Sequence, residues 1–108
     1  MGVTLKKFHT CTMKSYLVLA KILDKELFGE YMRGHLPTIE KFGGRVAFRS
    51  VQNSTVLGDD HWDAVAIQEW PNAKSFELWW NSEEYKSWSN IRDKAAIVQI
   101  VETIVPNT

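Results

Sequence analysis

Seven consecutive residues, Tyr16-Leu17-Val18-Leu19-Ala20-Lys21-Ile22, are apolar at both parities except for Lys21. A run this short and continuous reads as a strand covered on both faces, because a half-solvated strand would alternate polar and apolar residues. Whatever sheet this strand enters needs a cover on each side. The first cover follows at once in the chain. Asp24 is an N-cap, and Leu27, Phe28, Tyr31, Met32, His35, Leu36, Ile39 and Phe42 recur at helical spacing. Pro37 falls inside this pattern, where its missing amide and ring clash predict a bend or interruption of the last turns. Gly43-Gly44 supplies the stop, since glycine accepts the left-handed conformation that closes helices.

Arg45 to Val51 reads as a second strand, with Val46 and Phe48 on one parity and Arg45, Ala47, Arg49 and Val51 on the other. Strict alternation therefore puts both arginines on one face. Thr55-Val56-Leu57 is a strand extension or bulge between two segments of turn chemistry, Gln52 to Ser54 and Gly58-Asp59-Asp60. Ala64 to Glu69 is the third strand, Trp70-Pro71-Asn72 a turn, and Asn72 caps a helix carrying Ala73, Phe76, Trp79 and Trp80. Ser82 caps a further helical piece with Tyr85, Trp88, Ile91, Arg92 and Ala95, and Ile97 to Val105 closes as a fourth strand before Pro106. The order β-α-β-β-α-β is the split βαβ of the ferredoxin-like α+β fold, a four-stranded antiparallel sheet with both helices on one face. The other face stays bare. Its apolar parity predicts a second copy as the cover, hence a homodimer.

The chain has 108 residues, which is one domain, and 13 basic against 13 acidic side chains, so it lacks the clustered positive charge that phosphate backbones require. No nucleic-acid partner is expected. The apolar run ends at Lys21, far short of the roughly 20 residues of a membrane span, so no membrane partner is expected either. The single cysteine, Cys11, cannot form an internal disulfide and fits a reducing compartment, which points to the cytoplasm. Residues 1–12, from Met1 to Thr12, lack a sustained period and read as a flexible arm before a domain over 13–108.

Several short motifs together carry a family resemblance: Gly43-Gly44-Arg45 with Arg49, Val56-Leu57-Gly58-Asp59, Glu69-Trp70-Pro71-Asn72-Ala73, and Asn81-Ser82-Glu83-Glu84-Tyr85. From Tyr16 to Val105 the chain resembles the domain of unknown function 1330 family, within the dimeric α+β barrel superfamily. That resemblance implies a ferredoxin-like dimer with a pocket between sheet and helices in each subunit. Members of that family often have paired glycines after the Arg49 position, where this chain has Ser50-Val51. Trp70, Phe76, Trp79, Ser82 and Tyr85 are also similar to a run in the haem-degrading and antibiotic-biosynthesis monooxygenases. In the haem-degrading enzymes an iron-ligating histidine comes four residues after the aromatic at the Tyr85 position. This chain has Ser89 there, a poor iron ligand.

His35 is the principal candidate for chemistry. It lies on the apolar stripe one turn from Tyr31 and Ile39, where a neutral imidazole acts as a base near neutral pH. The structural alternative is a histidine hydrogen-bonded at the helix end. His9 and Cys11 in the arm and His61 in a loop form no metal-ligand spacing, so neither metal nor cofactor is expected. Arg45 and Arg49 can meet a carboxylate or enolate together, or pair with Asp63 or Glu69. Arg92 shares a helical face with Tyr85 and Trp88, placing it to close the same anion site, stack on an indole, or pair at the dimer interface. Trp79, Trp80, Asn81, Tyr85 and Trp88 either line a pocket for a flat organic molecule or belong to the core; two adjacent tryptophans cannot both face the core from one helix. Ser82 is read as a cap, and Glu83 and Glu84 as partners of the helix dipole.

Together these residues describe a small dimeric pocket protein for an apolar or aromatic metabolite bearing a carboxylate, enol or phenol. In that description His35 moves a proton, Arg49 stabilises the oxyanion, and Tyr31, Arg45, Trp79, Asn81, Tyr85 and Arg92 bind the substrate. Monooxygenase or isomerase chemistry without a metal follows if the protein is an enzyme. The alternatives are a noncatalytic binding or dimer module and, third, a haem binder ligated by His35 or His61.

Overall fold

The computed structural model describes residues 13–104. The expected arm at 1–12, and Val105 at the expected end of the last strand, lie outside the described residues. The chain runs β1 (Lys14–Ile22), α1 (Lys25–Lys41), β2 (Arg45–Ser50), β3 (Ala64–Trp70), α2 (Ala73–Trp80), α3 (Glu83–Ala95) and β4 (Ala96–Glu102). The strands form one antiparallel sheet in the order β2-β3-β1-β4. This is the ferredoxin-like α+β arrangement, with the second helix of the repeat split into α2 and α3 at Asn81-Ser82.

Each helix begins where a short polar side chain replaces a missing backbone acceptor. Asp24 accepts from the Leu27 amide at 3.0 Å, Asn72 from Ser75 at 2.9 Å and Ser82 from Tyr85 at 3.1 Å. The end of α1 is a Schellman closure: Gly43, at φ +93°, donates to the Glu40 carbonyl and Gly44 to that of Ile39. Pro37 does not interrupt α1, contrary to expectation. It sits on the exposed side of a helix that continues to Lys41, where water can take the carbonyl bond it removes. Thr55-Val56-Leu57 forms no strand; Val56 and Leu57 lie in an open loop, 98% and 94% exposed.

Register assigns the two faces of the sheet. Tyr16, Val18, Ala20 and Ile22 of β1 stand beside Gln68, Ala66 and Ala64 of β3 and beside Ile100, Val98 and Ala96 of β4, beneath the helices. A bulge in β2 breaks the alternation there, because Val46 pairs with Gln68 but Phe48 pairs with the next residue, Ile67. Ala47 is the extra residue. Arg45, opposite Glu69, therefore lies on the outer face, and Arg49, opposite Ala66, lies on the inner one. The expectation that both arginines share a face fails for this reason.

An aromatic layer fills the space between helices and sheet. Trp70, Trp79 and Tyr85 are all but fully buried, and Phe76 stacks on Tyr16 at 3.9 Å. Trp79 and Trp80 both touch Tyr85, at 4.1 and 5.3 Å, because α3 crosses the end of α2 and covers its second side. Two adjacent tryptophans are thus both used in packing. The outer sheet face carries Leu17, Leu19, Phe48, Val65, Ile67, Ile97 and Val101 with no described element over it. Phe48 and Ile97 are each more than half exposed.

The closest helix contact has a sharp steric requirement. A Cβ on Gly34 would overlap the Trp88 indole of α3, whereas one on Gly29 would meet only the flexible end of Arg33, at 3.4 Å. Gly34→Ala is expected to destabilise the fold by about 1–3 kcal/mol through overpacking. Gly29→Ala is expected to stabilise it by about 0.5–1 kcal/mol through helix propensity. Urea unfolding of both variants beside the parent chain checks this opposition of sign.

Candidate functional site

Small side chains on the sheet floor create a cavity. Ala20, Ala64 and Ala66 leave room beneath Phe28, Tyr31, Met32 and His35 of α1, with Val98 and Ile100 along one side. The space between sheet and helices amounts to about 640 Å³ counted out to solvent, but only about 60 Å³ is wide enough for the centre of a water molecule. The enclosed part is therefore narrow. It opens to a mouth where Arg49 and Val51 are exposed.

His35 is 5% exposed and stacks on Tyr31 with ring centroids 3.9 Å apart. Its Nδ1 lies 2.8 Å from the Tyr31 carbonyl oxygen, one helical turn back. A carbonyl only accepts, so Nδ1 carries the hydrogen and Nε2 keeps a free lone pair. Nε2 makes no hydrogen bond among the described residues, yet no described side-chain polar atom shut off from solvent is left unpaired. It therefore faces open space, and the space His35 lines is the cavity. Burial, reinforced by the Arg49 and Arg92 charges, pushes the imidazole down to about 4. The ring is neutral at physiological pH.

Tyr31 and Tyr85, from α1 and α3, join hydroxyl to hydroxyl at 2.7 Å. Arg92 donates to the Tyr85 oxygen from 3.0 Å while its guanidinium lies 5.0 Å from the Trp80 ring centre. Arginine has only donors, so whichever tyrosine donates to the other, one hydroxyl hydrogen is left for the cavity both line. Burial, with Tyr85 adding to it, raises Tyr31 above the ordinary phenol range, so it remains a donor. Arg49 makes no side-chain hydrogen bond or ion pair among the described residues. Arg45 does, through Nη2 and Nε to Glu69 Oε1 at 2.6 and 2.9 Å.

The structure thus brings His35, Arg49, Tyr31, Trp79 and Tyr85 to one cavity and sets Arg92 behind Tyr85. It does not bring Arg45 or Asn81 there. Arg45 is held on the outer face by Glu69, and Asn81 closes α2 by donating to the Glu77 carbonyl at 2.9 Å. Trp88 packs over Gly34 between the helices, and Trp80 belongs to a surface recess with Tyr16, Phe76 and Ile100. The Trp79 indole donates to Thr38 at 2.8 Å, which fixes one cavity wall. Gln68 is a cavity residue that sequence reasoning missed. The available signal was an amide at an inward parity, between Ala66 and Trp70, on an otherwise apolar side of the strand.

The described residues include no group of three or more histidine, cysteine or acidic side chains placed to hold a metal. His61 lies in an exposed loop beside Asp63, and Ser89 spends its hydroxyl on the Lys86 carbonyl. No helix among the described residues is long and apolar enough to cross a membrane.

Comparison with solved structures supports the same architecture. A protein of unknown function from Rhodopseudomonas palustris is 20% identical, with a TM-score of 0.76 over 100% of this chain and 95% of that one. SnoaB, a cofactor-independent oxygenase from Streptomyces nogalater, is 7% identical, with a TM-score of 0.64 over 90% and 96% of the two chains. A dimeric ferredoxin-like protein of unknown function from Bacteroides fragilis is 16% identical, with a TM-score of 0.52 over 85% and 95%. At these identities the likeness is one of fold. No curated protein matches the chain. Residues 14–105 match the family described as domain of unknown function (DUF1330), and the chain belongs to that family.

Proposed function

We propose that this protein binds a small apolar or aromatic acid, enol or phenol and moves a proton on it with its own side chains. One observation carries this reading: an imidazole nitrogen and a guanidinium that have no partner among the described residues line the same largely apolar cavity. His35 Nε2 takes the acidic hydrogen. Its lowered basicity keeps it neutral until a negative charge develops beside it, and Arg49 at the rim stabilises that charge. An enolate held this way either regains its proton at another atom, an isomerisation, or gives electrons to dioxygen. The second would be an oxygenase reaction, and SnoaB is described as a cofactor-independent oxygenase. Gently purified chain examined by native mass spectrometry is expected to retain a small acid, enol or phenol that denaturation releases. A chain that retains nothing and binds no acid or phenol in NMR titration is instead a noncatalytic dimer module.

The apolar outer face supports a second copy as its cover, and the similar Bacteroides fragilis protein is described as dimeric. We place this homodimer in the cytoplasm, where the single thiol of Cys11 stays reduced. Ile67→Asp puts a charge in the middle of that face without touching the helix side. Native mass spectrometry is expected to show dimer for the parent and monomer for the variant.

Once the ligand is in hand, His35→Gln is expected to lower turnover by at least about 100-fold, the usual size of a general-base contribution, with the dimer intact. Unchanged turnover would remove His35 from the mechanism. The same residue predicts a pH effect on stability. The folded imidazole titrates near 4 and an unfolded one near 6.5, so between those values the unfolded chain binds a proton the folded chain refuses. Stability therefore falls as pH drops from about 6.5 to about 4, by about 3 kcal/mol from this group. Urea unfolding across that range should show a shallower slope for His35→Gln than for the parent.

A further inference from the structure

Gln68 is a polar cavity side chain that the proton transfer leaves unused. It stands on the inner face of β3 between Val46 and Tyr16 and is only 4% exposed. Its Oε1 lies 3.0 Å from the Trp70 indole nitrogen. An indole N–H can only donate, so the amide oxygen must face Trp70 and the NH2 group must point away. Trp70 cannot yield, being fully buried with its ring so close under Gly44 that a Cβ there would stand 2.6 Å from it. The amide is therefore locked in one orientation.

The Gln68 NH2 hydrogens meet no acceptor among the described residues, although no described side-chain polar atom cut off from solvent lacks a partner. They face open space, and Gln68 lines the cavity. His35 supplies the complementary half, its Nδ1–H spent on the Tyr31 carbonyl and its Nε2 lone pair free. Between apolar walls the cavity thus presents a fixed acceptor, His35 Nε2, and a fixed amide donor, Gln68, beside the hydroxyl hydrogen that the Tyr31–Tyr85 pair leaves over and the Arg49 guanidinium at the rim. A ligand with a hydroxyl alone must serve both His35 and the amide with one oxygen, whereas a carbonyl beside the hydroxyl gives the amide an acceptor of its own.

We propose that Gln68 determines the specificity of this cavity by reading a carbonyl oxygen while His35 takes the acidic hydrogen. The ligand class narrows to enolisable carbonyl compounds and carbonyl-bearing phenols. This inference rests on the reading of the cavity as the ligand site.

The test is an NMR titration of the full-length, isotope-labelled protein with 3-hydroxyacetophenone, whose carbonyl and hydroxyl are too far apart to bond each other, and with phenol, which has hydroxyl alone. The carbonyl probe is expected to bind at least tenfold more tightly and to shift the Gln68 side-chain NH2 signals more than phenol does. Gln68→Met keeps the bulk and a weak acceptor for Trp70 but has no donor. It is expected to bring the affinity ratio close to one by weakening the carbonyl probe more than phenol. If both probes shift the His35 ring signals but the ratio survives in Gln68→Met, the Gln68 assignment is overturned and the cavity reading stands. If neither probe shifts His35, Tyr31 or Gln68, the cavity reading falls and takes this assignment with it. Should Gln68→Met fail to fold, the NH2 shift in the parent protein decides: its absence on carbonyl binding overturns the assignment.

Discussion

The buried bond between the Tyr31 and Tyr85 hydroxyls joins the two helical covers, and the cavity depends on it. Tyr31 comes from α1 and Tyr85 from α3, far apart in sequence, and both side chains are buried. A buried polar pair of this kind is stable only when both partners are in place, which fixes the separation of the helices. Tyr31 in turn holds His35 twice, by ring stacking and through its carbonyl. Tyr85 is held by Trp79 on one side and by Arg92 behind. The orientation of the imidazole thus follows from packing that extends to the surface of α3.

The sheet contributes by omission and by irregularity. Alanines at 20, 64 and 66 leave space where larger aliphatic residues would close the core, and the aromatic layer fills only the Trp70 end. The bulge at Ala47 turns Arg49 inward while leaving Arg45 with Glu69. One inserted residue therefore separates two similar side chains into different roles, a surface ion pair and an unpaired cation at a cavity rim. Surface pairs of the Arg45–Glu69 kind contribute little stability, so it is the geometry of the bulge, more than the pair's strength, that matters.

Membership of the DUF1330 family and the likeness to solved ferredoxin-like proteins agree on architecture. Chemistry has to be argued from the site, because this fold carries many unrelated activities. Here the site is mostly apolar, with its polar groups already oriented by protein partners: His35 by a carbonyl, Gln68 by an indole, and Tyr85 by an arginine. Such orientation before ligand arrival is what a binding site needs to discriminate among small molecules of similar shape.

The amino-acid sequence by itself determined the strand and helix order, the three N-caps and the closure of α1 at Gly43-Gly44, because these depend on neighbours within a few residues. Periodicity also placed Phe28, Tyr31, His35 and Ile39 on one buried stripe. The family resemblance rested on local motifs of the same kind. Tertiary structure decided the rest. Ala47 carries no local mark of a bulge, since pairing with β3 creates it, so the faces of Arg45 and Arg49 were not readable. Asn81 looked like a ligand contact beside two tryptophans, but the end of α2 uses its amide as a cap. Pro37 left α1 intact because its ring faces solvent, and Gln68 gained its meaning only when Trp70 took its oxygen. Local hydrogen bonding and periodicity act along the chain, while the direction of a side chain into a shared space depends on residues that only folding brings together.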